Sequence, residues 1–162
     1  RRKPEAATRR AQRMRVNLGS GDKPEPGWVN VDLRGGDVVA DARRLPFADE
    51  SVGELQALDL LEHFPETETG KVLEEWGRVL VEDGVLIVRV PNLTKIFQKL
   101  QSCPDQTRLL IRNLMGGHRW GDLDVHHWNF TPEMLDDELH RAGFHPFYNN
   151  LTLNMLCKAR KV

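Results

Sequence analysis

The stretch from Met14 to Leu33, MRVNLGSGDKPEPGWVNVDL, constrains the fold more than any other part of the chain. Apolar residues alternate in two short runs that predict β-strands, and the glycine-rich turn Gly19-Ser20-Gly21 separates them. The second run ends in an acid, Asp32. In an open α/β sheet, a glycine turn after one strand and an acid after the next line the crevice that binds nucleotides. We therefore ask which nucleotide this turn suits.

Two prolines indicate that this turn does not bind a dinucleotide. A dinucleotide fold uses G-x-G-x-x-G, with the third glycine inside a helix that faces the pyrophosphate. Pro24 stands at the third glycine position here, and Pro26 follows. Because a proline inside a helix costs about 3 kcal/mol or more, the crossover between the two strands is predicted to be short and without a helix. The lack of G-K-S/T excludes a P-loop. The turn therefore suits an adenosyl group without phosphate. The carboxylate of Asp32 would accept hydrogen bonds from the ribose hydroxyls of that group.

Strands alternate with helices or loops through the middle of the chain. Short apolar runs at Val38–Ala40 and Leu55–Leu58 predict two more strands. Apolar residues at helical spacing predict a helix over Glu66–Asp83, which Gly84 ends. The run Val85–Val90, VLIVRV, is typical of a strand covered on both faces. This alternation favours a mainly parallel sheet.

The last third of the chain predicts helices and a closing β-hairpin. Residues 95–115 indicate two short helices broken at Pro104, and 116–130 show no clear period. The next helix has a capping residue followed by proline at its start and a glycine at its end. The predicted features are this helix from Thr131-Pro132 to Gly143, strands Phe144–Tyr148 and Leu151–Ala159, and a tight turn at Asn149-Asn150.

The predicted fold class is α/β: a Rossmann-like, doubly wound, mainly parallel sheet with a shortened first crossover and a C-terminal antiparallel hairpin strand. At 162 residues and 40% apolar, the chain is long enough for one domain and too short for two. We expect this domain over 14–162, with 93–130 as a substrate-side insertion. Residues 1–15 carry seven basic residues and one acid although the net charge is −1, so 1–13 are expected to form a basic arm.

Five motifs occur in the order and spacing of one family, and together they cover roughly residues 16–92, with the closing helix and hairpin added. They are LGSG (18–21), VNVDL (29–33), DARRLPFADESV (41–52), LLEHF (60–64) and EEWGRVLVEDGVLIVRVPN (74–92). In these motifs the chain resembles the class I S-adenosylmethionine-dependent methyltransferases, in particular the small predicted methyltransferases of the type-11 kind. The resemblance implies S-adenosylmethionine as the cofactor.

By this resemblance, Gly19 and Gly21 would lie against the methionine part of the cofactor, and Asp32 would bind its ribose. Asp41 and the amide of Ala42 would read the adenine edge, and the end of the fourth strand would lie beside the sulfonium. The cofactor-binding residues expected from the family are Leu18, Gly19, Ser20, Gly21, Asp32, Leu33, Asp41, Ala42, Asp59 and Leu61.

Histidines and aromatic residues concentrate in the aperiodic segment 116–130. Imidazole is suited to a general base, arginine to an anionic group and tryptophan to a sugar or ring face. The predicted catalytic residues are His63, His126 and His127, and the predicted substrate contacts are His118, Arg119, Trp120 and Trp128. A purely structural segment is the alternative. We expect no metal site, because neighbouring histidines point apart and no H-x-x-x-H spacing occurs.

These observations predict a methyltransferase for a small-molecule or glycan-type acceptor. Two alternatives stay open: a non-catalytic S-adenosylmethionine-binding module, and a nucleic-acid methyltransferase that uses the basic arm. The second is disfavoured because residues 59–62, DLLE, lack the N/D-P-P-Y/W motif of such enzymes. Two cysteines without metal-like spacing and no apolar run of about 18 residues favour a cytoplasmic protein that binds no membrane.

Overall fold

The computed structural model describes residues 14–117 and 121–162. The predicted basic arm, 1–13, and the predicted substrate contacts His118, Arg119 and Trp120 lie outside these described residues. Within them the chain forms one sheet, whose strands in chain order are β1 Arg15–Leu18, β2 Val29–Asp32, β3 Val38–Val39, β4 Val52–Leu58, β5 Leu80–Pro91, β6 Phe144–Leu151 and β7 Asn154–Lys161.

Helices connect the strands of the second half of the sheet. In the described ranges they are α1 Glu66–Val79, α2 Leu93–Ser102, α3 Thr107–Met115 and α4 Pro132–Arg141, with short 3₁₀ turns at Leu61–His63, Pro104–Gln106 and Gly121–Asp124. The capping signal read from the sequence is confirmed in α4, where Thr131 Oγ1 accepts the N–H of Met134 at 3.3 Å. No helix among the described residues has the length and apolar character needed to span a membrane.

The strand order is β3-β2-β1-β4-β5-β7-β6. Neighbouring strands from β3 to β5 are parallel, and β7 is antiparallel to both β5 and β6. The predicted fold class, a mainly parallel sheet with an antiparallel C-terminal strand, is confirmed. The chain moves outward from β1 to β3 and then returns to place β4 on the other side of β1. Sheets of this kind bind ligands at such a switch point, outside the carboxyl ends of the strands.

The hydrophobic core joins α1 to the sheet. Val72, Leu73, Trp76 and Val79 recur at helical spacing on one face of α1, and each is at most 1% exposed. They pack in one cluster with apolar residues of the strands and of α4. Burying a side chain of this size contributes about 1.5–3 kcal/mol, so this face fixes α1 against the sheet.

A row of amide side chains crosses the opposite face of β2, β1 and β4. Asn30, Asn17 and Gln56 are neighbours in register and are 5%, 5% and 8% exposed. Asn17 Nδ2 donates to Asn30 Oδ1 at 2.9 Å, and Gln56 Nε2 donates to Asn17 Oδ1 at 3.0 Å. Buried amides are stable only when they are paired, so this row, which we call the amide ladder, holds three strands in one register.

Asn30 also shapes the connection between β1 and β2. Residues 19–28 make this connection with turns and no helix, as the two prolines predicted. Asn30 Oδ1 accepts the N–H of Glu25 at 2.7 Å, and Asn30 Nδ2 donates to the carbonyl of Trp28 at 3.1 Å. One buried side chain therefore anchors the short crossover that would otherwise need a packed helix.

The predicted end of the first helix is wrong. α1 ends at Val79, not at Asp83, and β5 begins directly at Leu80. Leu80 is fully buried and pairs with Val52 of β4, so its side chain serves the sheet although its spacing also fits the helix. Gly84 lies within β5, where a Cβ would come within 2.8 Å of the Val81 carbonyl oxygen.

The predicted position of the hairpin turn is also wrong. β6 continues through Asn149 and Asn150, which pair with β7, and the chain turns at Thr152 and Leu153. Thr152 Oγ1 donates to the carbonyl of Asn154 at 2.8 Å and closes this turn. Asparagine tolerates a turn, but the pairing of a longer strand decides where the turn falls.

We predict that Asn30→Ala lowers the free energy of unfolding by about 2–3 kcal/mol, because it leaves buried partners in the amide ladder and the crossover without hydrogen bonds. Urea unfolding measures this loss. Asn150→Ala, at an exposed position of β6, is the matched control and is expected to change stability by less than about 0.5 kcal/mol. Equal losses in the two variants would contradict the role given to Asn30.

Candidate active site

A cavity of about 620 Å³ opens at the switch point between β1 and β4. This volume lies within the range of about 300–1,000 Å³ that is usual for small-molecule and cofactor sites. The wall comes from the loops after the first four strands and from the segment that precedes α4. Among the residues that line it are Gly19, Gly21, Asp32, Asp41, Asp59 and His63.

Glycine is required at the first turn of the cavity. Gly19 has φ +66° and Gly21 has φ +50°, in the left-handed region that other residues rarely adopt. A Cβ on Gly19 would lie 3.0 Å from Leu60 Cδ1, whereas a Cβ on Gly21 would meet no atom within 4 Å. The turn therefore leaves room for a ligand beside Gly21 and brings the Gly19 backbone close to the loop after β4.

Asp32 is held against this turn. Its Oδ2 accepts the N–H of Gly21 at 2.9 Å, and its Oδ1 accepts the N–H of Arg34 at 3.0 Å. Each carboxylate oxygen retains a second acceptor position, and the residue lines the cavity. The acid at the end of β2 is thus oriented by the turn that follows β1 and can accept further hydrogen bonds from a ligand.

Asp41 forms a tight pair with Arg43 beside the same cavity. Arg43 donates to Asp41 Oδ2 at 2.7 Å and also to Glu68 at 3.2 Å. The hydrogen bonds from the Arg43 guanidinium hold the pKa of Asp41 below its usual range, although partial burial opposes this. The carbonyl of Ala42 accepts the indole N–H of Trp76 at 3.0 Å, so this loop is fixed to α1.

Arg78 secures the rest of that loop. Its guanidinium donates to the carbonyls of Leu45 at 3.1 Å and Phe47 at 2.9 Å, and to Glu75 at 2.8 Å. Glu75 in turn accepts the N–H of Leu45 at 2.7 Å, and its pKa is lowered chiefly by the hydrogen bond from Arg78. The loop of residues 41–47, whose first three residues line the cavity, is therefore held on α1 at both ends.

The end of β4 brings a charged pair to the cavity. Asp59 follows the strand with φ +58°, and its Oδ1 accepts the Nε–H of Arg89 from β5 at 2.8 Å. The same hydrogen bond raises the pKa of Arg89, against the effect of its partial burial. The carboxylate is thus compensated by a neighbouring strand and still lines the cavity.

Glu62 and His126 lie behind this wall and meet His63, which is part of it. Glu62 is fully buried, and this burial raises the pKa of its carboxyl well above the usual value. The rings of His63 and His126 have centroids 4.9 Å apart, and burial, with the nearby His63, lowers the pKa of His126. His63 lines the cavity, as does the exposed His127, whereas His126 turns toward Glu62.

The structure brings most of the predicted cofactor-binding residues together. Seven of them line the cavity: Gly19, Gly21, Asp32, Leu33, Asp41, Ala42 and Asp59. Leu18 and Leu61 lie in the hydrophobic core, and Ser20 is buried with its hydroxyl unbonded among the described residues. Of the predicted substrate contacts that the structure describes, Trp128 packs against the core and is not part of the cavity wall.

Sequence reasoning missed several residues of the wall. Arg34, Arg43, Leu123 and Asp124 line the cavity without having been predicted there. Arg34 and Arg43 each lie two residues after a predicted acid, Asp32 or Asp41, so their proximity in sequence was an available signal. Leu123 and Asp124 lie in the segment that was expected on the substrate side, but no pattern singled out these two residues, because only the folded chain brings the segment before α4 to the cavity.

Comparison with known proteins yields one matching family model and a set of solved structures that share the fold. A family model described as a methyltransferase domain matches residues 9–88. No curated protein matches the sequence. Among solved structures, an S-adenosylmethionine-dependent methyltransferase from Methanosarcina mazei is similar at 15% identity and TM-score 0.65, over 92% of this chain and 92% of that one.

Two further similar structures contain bound S-adenosylhomocysteine. The 1,6-didemethyltoxoflavin-N1-methyltransferase of Burkholderia thailandensis is 18% identical with TM-score 0.63, over 98% of this chain and 79% of that one. The magnesium protoporphyrin IX methyltransferase of Synechocystis is 14% identical with TM-score 0.60, over 92% of this chain and 74% of that one. The resemblance to the class I methyltransferases that the sequence motifs indicated is confirmed.

We predict that Gly19→Ala destabilises the protein more than Gly21→Ala does. Both variants force alanine into a left-handed conformation, at a cost of roughly 1–2 kcal/mol, but only the first crowds Leu60, which adds roughly 1 kcal/mol. Urea unfolding of both variants measures the difference. In a Leu60→Ala background, Gly19→Ala should cost no more than Gly21→Ala does, because the crowded side chain is gone. Equal losses at the two glycines in the parent background would contradict the prediction.

Proposed function

We propose that this chain, which has the fold and the sequence motifs of a class I S-adenosylmethionine-dependent methyltransferase, transfers a methyl group to a small-molecule or glycan-type acceptor. The observation that carries the proposal is the hydrogen bond from the Gly21 N–H to Asp32 inside the switch-point cavity. This hydrogen bond orients the Asp32 carboxylate beside a glycine backbone that a ligand can approach closely. The bound S-adenosylhomocysteine in the Burkholderia and Synechocystis relatives supports the choice of cofactor.

The residues of the cavity fit the proposed cofactor. A Cβ on Gly21 would meet no protein atom within 4 Å, so the backbone of the glycine turn is open to contact with a ligand. We propose that Asp32 accepts hydrogen bonds from the two ribose hydroxyls at the acceptor positions that the N–H groups of Gly21 and Arg34 leave free. Leu33, Asp41 and Ala42 are proposed to surround the adenine, and Leu18, Ser20 and Leu61 to support these contacts from below.

Asp41 has a particular constraint in this arrangement. Its carboxylate is already engaged by Arg43, so its capacity for a further hydrogen bond to the adenine amino group is reduced. The Arg43 guanidinium is planar and lies in the cavity wall, where it offers a surface for the adenine ring to stack on. We therefore propose that the Asp41–Arg43 pair acts as one unit in adenine recognition.

When bound, S-adenosylmethionine supplies a methyl group on a positively charged sulfur. The chain's own contribution is to hold the acceptor in line with that bond, because positioning is the main source of acceleration in such a displacement. Asp59, at the end of β4, is proposed to lie beside the positive centre. His63 and His127 line the same cavity and are proposed to take the proton of a hydroxyl or ammonium acceptor.

The acceptor is proposed to enter from the side of residues 93–130. Leu123 and Asp124, from the 3₁₀ turn of this segment, line the same cavity as the glycine turn. The relatives named above act on a small heterocycle and on a porphyrin, which supports an organic acceptor of modest size.

We propose a cytoplasmic location on the basis of the two cysteines, Cys103 and Cys157, which are both free.

We predict that the chain binds S-adenosylhomocysteine and that Asp32→Ala weakens this binding by roughly 100-fold, because hydrogen bonds to a charged group are each worth about 1.5–3 kcal/mol. Isothermal titration calorimetry measures both affinities. Asp105→Asn, at an exposed acid distant from the cavity, is the control and should bind like the parent. Parent protein that binds no S-adenosylhomocysteine, or an Asp32→Ala variant that binds it equally well, would contradict the proposal.

Turnover is tested separately from binding. With methyl-labelled S-adenosylmethionine, we predict that label enters a small-molecule or glycan fraction of a cell extract, and that Asp32→Ala abolishes this incorporation. Purified RNA and DNA, offered in parallel, should remain unlabelled. Tight cofactor binding without labelling of any fraction would identify a binding module instead, and labelled nucleic acid would identify the other alternative function.

A further inference from the structure

The carboxyl group of Glu62 presents a physical problem that the proposed methyl transfer does not solve. Its side chain is fully buried, and neither oxygen has a hydrogen-bond partner among the described residues. An unpaired buried carboxylate is costly, so such groups are normally paired or bound to a metal ion. Sulfonium chemistry and ribose binding give Glu62 no role, because it lies behind the cavity wall.

Two imidazoles converge on this carboxyl group. His126 Nε2 lies 3.9 Å from Glu62 Oε1, and the His63 ring stands at 81° to the His126 ring. One donor atom from each of the three side chains lies within 4.8 Å of the other two. No other such group occurs in residues 14–117 and 121–162. The set contains two nitrogen donors and one oxygen donor, which suits a divalent transition metal and not Mg²⁺ or Ca²⁺.

Backbone contacts hold the three residues in place. The carbonyl of Glu62 accepts the N–H groups of His127 at 2.9 Å and Trp128 at 3.1 Å, which ties the His126 segment to the 3₁₀ turn that carries Glu62 and His63. His63 Nδ1 lies 3.1 Å from the carbonyl of Val125 and must carry the hydrogen in that contact. Its Nε2 is then the lone-pair nitrogen, an arrangement that metal-binding histidines use regularly.

We propose that Glu62, His63 and His126 bind one Zn²⁺ ion or a divalent ion of similar chemistry. Zn²⁺ takes nitrogen and oxygen ligands at about 2.0–2.2 Å and is four-coordinate, so three protein ligands leave one open position. The donor atoms must approach one another by about 1 Å to reach this geometry. The His126 side chain is only 11% exposed, but His63 lies at the cavity wall, so rotation of the His63 imidazole supplies most of this movement.

The location of the ion gives it a role in the proposed reaction. His63 lines the cavity, so the open coordination position would face the space in which the acceptor is held. An ion there would bind an acceptor oxygen and orient it, leaving His127 as the imidazole that is free to take a proton. This role rests on the proposed function, whereas the metal binding itself does not.

The test uses Zn²⁺ alone, without cofactor or acceptor. The full chain is stripped with chelator, dialysed against Zn²⁺ and assayed for metal content by mass spectrometry, with Co²⁺ absorption as a second readout of ligand geometry. We expect about one ion per chain in the parent. The Zn²⁺ affinity of Glu62→Gln and of His126→Gln should be weaker than that of the parent by roughly tenfold or more. Two separate variants keep the test decisive if one of them fails to fold.

The chain supplies a matched control. His140 and His145 form a second ring pair, with centroids 5.4 Å apart and an interplanar angle of 84°, but no carboxylate among the described residues completes a cluster there. The double variant His140→Gln/His145→Gln should keep the Zn²⁺. The proposal is overturned if this double variant loses the metal, if Glu62→Gln binds it like the parent, or if the parent binds none. Binding of S-adenosylhomocysteine in the same samples reports on the proposed function independently.

Discussion

The hydrogen bonds of Asn30 are the interaction on which the rest of this structure depends. Its side chain pairs with Asn17 of β1 and, through it, with Gln56 of β4, so the three strands around the switch point share one register. The same side chain fixes the crossover that follows Gly19 and Gly21. Because the first crossover has no helix to bury an apolar face, a polar and internally satisfied face is the stable alternative.

The second wall of the cavity depends on α1. Its apolar face is buried in the core, and two of its side chains hold the loop after β3, Trp76 through its indole N–H and Arg78 through its guanidinium. The helix therefore serves stability and site geometry at once. A rigid helix positions the Asp41–Arg43 pair more precisely than a free loop would, as the proposed recognition of a flat adenine ring requires.

The two proposals concern neighbouring parts of one site and differ in what supports them. Methyl transfer is supported by the family match, by the fold and by the glycine turn with Asp32. The metal site is supported by the unpaired carboxyl of Glu62 and the two imidazoles beside it. If both hold, His63 and His126 serve as ligands, and His127 is the predicted histidine that keeps a free imidazole in the cavity.

The sequence by itself determined the alternation of strands and helices, the helix-free first crossover and the placement of Gly19, Gly21 and Asp32 at strand ends. These follow from local physics, because side-chain periodicity, proline and left-handed glycine act within a few residues. It did not determine where α1 ends or where the hairpin turns, since strand pairing overrides local preference there. Only the tertiary structure decided the cluster of Glu62, His63 and His126: residues some 60 positions apart meet when main-chain hydrogen bonds join two loops, and no local pattern records such a contact.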